Sequence, residues 1–166
     1  MLDYALILFF PFLMALAAML DMVSMTISNK ISLALIAGFC ALAYATNMDL
    51  EAFGWHWAMF GVVLAVGFTL FALNIIGGGD AKFAASTALW FGFEHALEYV
   101  MIASLIGGLM TLVLLKIRGI PLPPRIESIG WAARLCRADT GVPYGIALGF
   151  AALLIYPSTR WMLFVN

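Results

Sequence analysis

Six uncharged, apolar stretches dominate this sequence. Five of them contain 17 to 23 residues, and the remaining one contains 11. A helix needs about 20 mostly apolar residues to cross the hydrocarbon core of a bilayer. Their lengths predict membrane-spanning helices at Tyr4–Leu20, Ile31–Met48, Trp57–Gly79, Phe83–Phe93, Tyr99–Leu115 and Gly141–Thr159. The short fourth run can cross if its flanking charges lie near the headgroups and the bilayer thins locally.

The composition agrees with a chain that folds in lipid. Charged residues make up 10% of the sequence and apolar residues 65%, whereas a soluble domain carries about 25% charged residues. The runs do not alternate with polar residues, as the strands of a membrane barrel do. The predicted fold is an all-α integral membrane protein with six transmembrane helices in one domain, residues 1–166. Because Asp3 rather than a basic residue precedes the first run, we expect a retained helix and not a signal peptide.

The basic residues are distributed unequally between the two sides of this bundle. Seven of the eight fall in the loops after the first, third and fifth spans: Lys30, Lys82, Lys116, Arg118, Arg125, Arg134 and Arg137. Since cytoplasmic loops carry an excess of Lys and Arg, this side is predicted to face the cytoplasm, with both termini outside. Residues 126–138 fit either a short helix lying on the inner leaflet or an irregular basic loop.

Several classes of function lack support. A net charge of −1 does not provide the positive surface of a nucleic-acid module, and two cysteines cannot form a four-thiolate zinc site. One His and two Glu in the turn at Glu94, His95 and Glu98 are more typical of plain surface than of a metal site. We therefore predict no metal and no cofactor. His56, between two tryptophans, is expected to be an interfacial anchor.

Two acidic residues stand apart from the others. Asp21 directly follows the first run, and Asp80 directly follows the third. Ionisable residues at membrane depth are costly and therefore mark candidate sites. The predicted topology puts both at the cytoplasmic edge of the bundle. Position alone leaves three interpretations open: a functional pair, a proton or ion relay, and two unrelated interfacial acids.

A pair of carboxylates at this edge could hydrolyse a peptide bond without a metal. Two carboxylates that lie close share one proton. The ionised partner can take a proton from water as the water attacks a carbonyl carbon, and the protonated partner can donate to the carbonyl oxygen. We expect the three glycines 77–79 to form a flexible turn that presents Asp80 to a wet cavity.

Three segments resemble the motifs of type IV prepilin peptidases. The string Gly-Gly-Gly-Asp-Ala-Lys at 77–82 resembles the GxGD-x-K motif. The segment from Asp21 through Ile-Ser-Asn at 27–29 resembles the first aspartate motif, D-x5-I-P-N, and Pro-Tyr-Gly at 143–145 resembles a third element, P-[YF]-G. The three come in the family order, and all lie on the predicted cytoplasmic side.

The resemblance implies an aspartic endopeptidase that removes the basic leader from prepilins, usually after a glycine, at the cytoplasmic face of the bacterial inner membrane. On matching positions, Asp21 and Asp80 are the implied catalytic pair. Lys82 matches the family lysine, for which phospholipid contact and substrate positioning are equally plausible roles. The other matched residues are implied to shape the turns or to be structural: Gly77, Gly79, Asn29, Pro143 and Gly145.

The sequence also departs from the family pattern. Ser28 stands where the family often has Pro, which we interpret as a loosened turn. Larger bifunctional members carry an insert with CxxC motifs and methylate the mature pilin, whereas this chain has no CxxC. We therefore expect a peptidase alone, of the compact Tad/Cpa (Flp pilus) type. Archaeal preflagellin peptidases share the fold and are the near alternative.

The predicted partners are a prepilin, with its basic leader and apolar helix, and membrane lipids, but no nucleic acid. Small residues at Ser104 and Gly108 could pack helices within the bundle or between two copies of the chain. A rival class is a non-enzymatic membrane protein, either a proton-coupled carrier or a pilus-assembly scaffold. Carrier sites usually lie near the midplane within inverted repeats. The two acids lie at one edge and the sequence shows no repeat, which favours the peptidase.

Overall fold

The computed structural model describes residues 2–120, 123, 128–137 and 139–163, and this part of the chain contains helices and no strand. The all-α prediction is confirmed. The helices are α1 (Leu2–Ser24), α2 (Asn29–Ala45), α3 (Leu50–Ala72), α4 (Gly78–Arg118), α5 (Gly130–Cys136), α6 (Tyr144–Ile155) and α7 (Arg160–Leu163), with a 3₁₀ turn at Tyr156–Ser158 between the last two.

Four helical stretches of the described chain are long and apolar enough to cross a membrane: Leu2–Ser24, Leu50–Ala72, Gly78–Arg118 and Tyr144–Leu163. Helix α2 is apolar but contains only 17 residues. The prediction of six spans is therefore confirmed in part, because every predicted run lies largely within a helix while fewer separate helices reach spanning length. The orientation of the bundle in a membrane stays a prediction.

The fourth and fifth predicted spans are joined in one helix that is broken at Gly92. Helix α4 has 41 residues, which would extend about 60 Å if straight. At Gly92 the backbone is not helical, with φ 59° and ψ −163°. The ring centroids of Phe91 and Tyr99 lie 5.2 Å apart, although eight residues along a straight helix span about 12 Å. The chain therefore reverses at Gly92, and residues 78–91 and 93–118 form the two arms of a hairpin.

Aromatic side chains fill the core at the Gly92 end of the bundle. Trp90 and Trp161 are fully buried, and their ring centroids lie 5.1 Å apart. The Trp90 Nε1–H donates to Leu35 O at 3.1 Å, and the Trp161 Nε1–H donates to Trp90 O at 2.7 Å. These bonds connect α2, α4 and α7, and they satisfy polar atoms that lipid cannot satisfy.

His56 belongs to the interior rather than to the interface. It is 8% exposed, and its Nδ1 lies 2.6 Å from Leu89 O across the α3–α4 contact. The expectation of an interfacial anchor is therefore wrong. The flanking Trp55, which is 57% exposed, is the residue that faces outwards.

The basic segment before the last long helix is partly helical. Within the predicted range 126–138, residues 130–136 form α5, while residues 126, 127 and 138 lie outside the described residues. The Arg118 guanidinium donates to Leu135 O and Gly141 O, and Arg134 donates to Val23 O at 3.1 Å. These bonds attach α5 to the ends of α1 and α4. Its contact with the inner leaflet stays a prediction.

The reversal at Gly92 makes a direct prediction for stability. Replacing Gly92 with Ala should destabilise the fold by about 1–3 kcal/mol, because an L-residue is strained in this conformation. The new Cβ would also lie 3.0–3.2 Å from three atoms of the His56 ring. The measurement is thermal unfolding of the purified protein in detergent.

The matched control is Gly108→Ala in the second arm of α4, where a Cβ meets nothing within 4 Å. This change should leave the midpoint unchanged or raise it slightly, because Ala favours a helix. Equal thermal unfolding midpoints for the Gly92→Ala and Gly108→Ala proteins would contradict the positive φ and the chain reversal at Gly92.

Candidate active site

The candidate site forms where α1 ends and α6 begins. Asp21, in the last turn of α1, is 3% exposed. Its Oδ2 accepts a hydrogen bond from the backbone N–H of Gly145 at 2.7 Å. A carboxylate buried among apolar groups is costly unless it is hydrogen-bonded, so this bond explains how Asp21 is tolerated in the interior.

The close approach of α6 to Asp21 requires the glycine at position 145. A Cβ there would lie 2.8 Å from Asp21 Oδ2, 2.9 Å from Asp21 Cβ and 2.7 Å from Ile27 Cδ1. Ile27 also faces Gly79, since a Cβ on that glycine would lie 3.6 Å from Ile27 O. Residues from all three motif segments therefore meet around Ile27.

Asp80 lies in the first turn of α4, directly after the glycine that faces Ile27. It accepts a hydrogen bond from the Gly77 N–H at 3.3 Å and is half-buried. It also lies in the wall of a cavity that is described below. Through Ile27, the structure thus brings together the two helix ends that carry these acids, which the sequence separates by 59 positions. Their action as a pair stays a prediction.

The glycines before Asp80 do not form the flexible turn that the sequence suggested. Gly77 is extended, with φ −72° and ψ 145°, and Gly78 and Gly79 already belong to α4. The residue with left-handed backbone in this connection is Asn74, with φ 57°. Gly77 instead makes room for the carboxylate, because a Cβ there would lie 2.8 Å from Asp80 Oδ2.

Lys82 and Asn29 contact each other at the exposed edge of the site. The Lys82 Nζ donates to Asn29 Oδ1 at 3.3 Å, which links the first two motif segments. Ser28, at the position where the family often has Pro, caps α2 by accepting from the Lys30 N–H at 3.3 Å. The helix therefore begins without the proline. Pro143 is buried immediately before α6.

An apolar cavity of about 410 Å³ has Asp80 in its wall. Its other lining comes from α3, both arms of α4 and α6, including Val62, Val66, Ala84, Val100 and Leu148. Tyr144 also lines it, and its hydroxyl lies 3.2 Å from Thr111 Oγ1. Tyr144 has no role in the sequence-based prediction, although its place as the middle residue of the Pro-Tyr-Gly element is the signal for it.

The described residues offer no cluster of metal-ligating side chains at this site or elsewhere. Among the residues that the structure describes, no group of three or more His, Cys, Asp or Glu side chains could hold a metal ion. Glu94, His95 and Glu98 likewise form no such group, and His95 Nδ1 lies 3.5 Å from Glu98 Oε2. A carboxyl group in the wall of an apolar cavity, as Asp80 is, can exchange a proton with a water molecule or with an apolar peptide.

Comparison with known proteins gives one family. The model of the type IV leader peptidase family matches residues 8–112, a range that includes both aspartates and the Gly92 reversal. No curated protein and no solved structure matches the chain.

The contact between Gly145 and Asp21 predicts the effect of a single methyl group. Gly145→Ala should destabilise the protein by about 1–3 kcal/mol, because the new Cβ would force α6 away from α1. Helix propensity alone would make the Ala variant more stable by up to about 1 kcal/mol. A loss of stability would therefore point to the steric contact with Asp21 and Ile27. Thermal unfolding in detergent measures it.

Gly61→Ala in α3 is the control, since a Cβ at this helical position meets nothing within 4 Å. It should be neutral or stabilising. A Gly145→Ala protein as stable as the Gly61→Ala protein would mean that α6 does not approach Asp21 this closely.

Proposed function

Because the chain belongs to the type IV leader peptidase family, we propose that it is a membrane-embedded aspartic endopeptidase in which Asp21 and Asp80 activate water. The observation that carries this proposal is the packing of Ile27 against both Gly145 and Gly79, which brings the end of α1, with Asp21, to the start of α4, with Asp80. Each acid comes from a different motif segment, and a third segment supplies the N–H that holds Asp21.

The proposed mechanism needs only one shared proton. The ionised aspartate accepts a proton from water while the water oxygen attacks the carbonyl carbon of the scissile bond. The protonated aspartate donates its proton to the carbonyl oxygen. As the tetrahedral diol collapses, the aspartic acid that took its proton from water gives that proton to the leaving amine nitrogen and the C–N bond breaks. The other aspartate takes a proton from a diol hydroxyl as the new carboxyl group forms, so the pair again holds one proton. Gly77 and Gly145 keep the carboxylates in place through their backbone N–H groups.

The proposed substrate is a prepilin of the Flp type. Its basic leader would lie near the acidic pair at the cytoplasmic face of the bacterial inner membrane, and its apolar helix would lie in the cavity whose wall contains Asp80. The absence of CxxC pairs in the sequence supports a peptidase without the methyltransferase activity of larger members. An archaeal-type preflagellin is the alternative substrate, because the same acidic pair would cut it.

The rival proposal is a non-enzymatic carrier or scaffold. Carrier sites usually lie near the membrane midplane, whereas Asp21 is in the last turn of α1 and Asp80 is in the first turn of α4. Both acids are therefore at helix ends, which favours chemistry at one membrane surface.

Removal of either carboxylate should abolish cleavage. We expect Asp21→Asn and Asp80→Asn each to lower the rate of prepilin cleavage by at least about 10²- to 10⁴-fold, the contribution typical of a general acid or base. The assay co-expresses the chain with a Flp-type prepilin and follows leader removal by gel shift.

The matched control is Asp139→Asn in the loop before α6. Asp139 is fully exposed, and hydrogen bonds from Arg137 hold the pKa of its carboxyl below the usual value. The Asn variant therefore removes one ionised carboxylate that pairs with Arg137 at the exposed surface, and it should cleave like wild type. Full activity of either Asn variant at position 21 or 80 would refute the pair.

The shared proton also predicts a bell-shaped dependence of cleavage rate on pH. At low pH both carboxyls are protonated and no base remains. At high pH both are ionised and no acid remains. Initial rates on a detergent-solubilised prepilin measure the profile, and a rate that is flat from acidic to neutral pH would argue against two aspartates acting together.

A further inference from the structure

A second cavity lies at the opposite end of the bundle from the aspartates. It has a volume of about 420 Å³ and is lined by residues from α3, the break in α4 and the start of α7: Ala52, Trp55, His56, Phe91, Gly92, Phe93, Glu94 and Arg160. Asp80 begins the first arm of α4 and Phe91 ends it, so the cavity lies about 17 Å along the helix from the candidate active site.

Two side chains of opposite charge line this cavity without forming an ion pair with each other. Glu94 and Arg160 both line it. The ion pairs of the described chain are His95–Glu98 and Arg137–Asp139, and neither cavity residue is in them. A carboxylate and a guanidinium that face one space unpaired fit a ligand with both a positive and a negative group.

His56 adds a second acceptor to the cavity. Its Nδ1 lies 2.6 Å from Leu89 O, and because a carbonyl oxygen only accepts, Nδ1 carries the hydrogen. In the neutral ring, Nε2 is then an acceptor, and it has no partner in the described chain. The ring is fixed against Gly92, where a Cβ would lie 3.0 Å from Cε1.

The rim of the cavity is aromatic and faces outwards. Trp55 is 57% exposed and Phe93 is 51% exposed, and their ring centroids lie 5.6 Å apart. One turn further along α4, Leu97 is 68% exposed. Aromatic side chains of this kind settle at the level of lipid headgroups. The mouth of the cavity is therefore at headgroup level, and the exposed apolar surface that continues to Leu97 is at the level of the acyl chains.

We propose that this cavity binds the headgroup of phosphatidylethanolamine. Arg160 donates to the phosphate oxygens, the primary ammonium donates to Glu94 and to His56 Nε2, and the acyl chains follow Phe93 and Leu97. A choline headgroup has no N–H to donate, and a glycerol headgroup leaves Glu94 without a cation. The site therefore discriminates in favour of a phospholipid that carries both a phosphate and a primary ammonium.

The test is lipid binding by the purified full chain in detergent, measured by native mass spectrometry. Phosphatidylethanolamine should bind about tenfold more tightly than phosphatidylcholine or phosphatidylglycerol with the same acyl chains, because charged hydrogen bonds are lost with the other headgroups. Glu94→Gln and Arg160→Gln should each weaken phosphatidylethanolamine binding by about tenfold.

Glu98→Gln is the matched control, because Glu98 lies one turn after Glu94 and does not line the cavity. It should leave binding unchanged. Equal affinity for the three lipids would overturn the proposal, and so would an equal loss in the Glu98 and Glu94 variants, which would indicate general surface charge.

Two further results would also overturn it. Tight binding of phosphatidylglycerol that depends on Arg160 alone would indicate a simple phosphate site, and equally tight binding of soluble glycerophosphoethanolamine would exclude the membrane as the source. If a variant fails to fold, the relative affinities of the wild-type chain for the three phospholipids still test the proposal. The readout is binding rather than cleavage, so it is independent of the proposed peptidase activity.

Discussion

The hydrogen bond from the Gly145 N–H to Asp21 joins the first long helix to the last one. At 2.7 Å it satisfies a carboxylate that is almost completely buried, and it requires a residue without a side chain on α6. The same close approach continues one turn later, where a Cβ on Gly149 would lie 2.9 Å from Met14 O. Because Ile27 is packed between Gly145 and Gly79, this contact also positions the start of α4, which carries Asp80.

The opposite end of the bundle is organised by a different set of bonds. Side-chain N–H and O–H groups donate to backbone carbonyls of neighbouring helices, as the Tyr156 hydroxyl does to Leu6 O at 2.6 Å and the Trp90 indole does to Leu35 O. In lipid such atoms must find partners within the protein. One end of the molecule thus concentrates two acids, and the other concentrates aromatic rings around a reversal in the chain.

The sequence was sufficient for the helical class, because long uncharged runs are a strong signal in a membrane chain. It was also sufficient to expect Asp21 and Asp80 at helix ends, where the structure has them, while their catalytic role stays a proposal. It was not sufficient for the reversal at Gly92. A glycine inside an apolar run does not by itself indicate that its φ is positive. The His56 ring that lies against Gly92 comes from α3, so this contact could not be read from the local sequence. The predicted flexible turn before Asp80 is wrong because it also depends on a contact that the sequence does not show. Gly77 is needed for the space beside the Asp80 carboxylate and not for conformational freedom.

The central claim is that Asp21 and Asp80 act as one catalytic unit, and a double-mutant cycle on prepilin cleavage tests it most directly. Residues that work as a unit have strongly non-additive effects on rate. The Asp21→Asn/Asp80→Asn double variant should therefore cleave no more slowly than either single variant. If the losses of the two single variants multiply in the double variant, the aspartates contribute independently and the shared-proton mechanism is wrong.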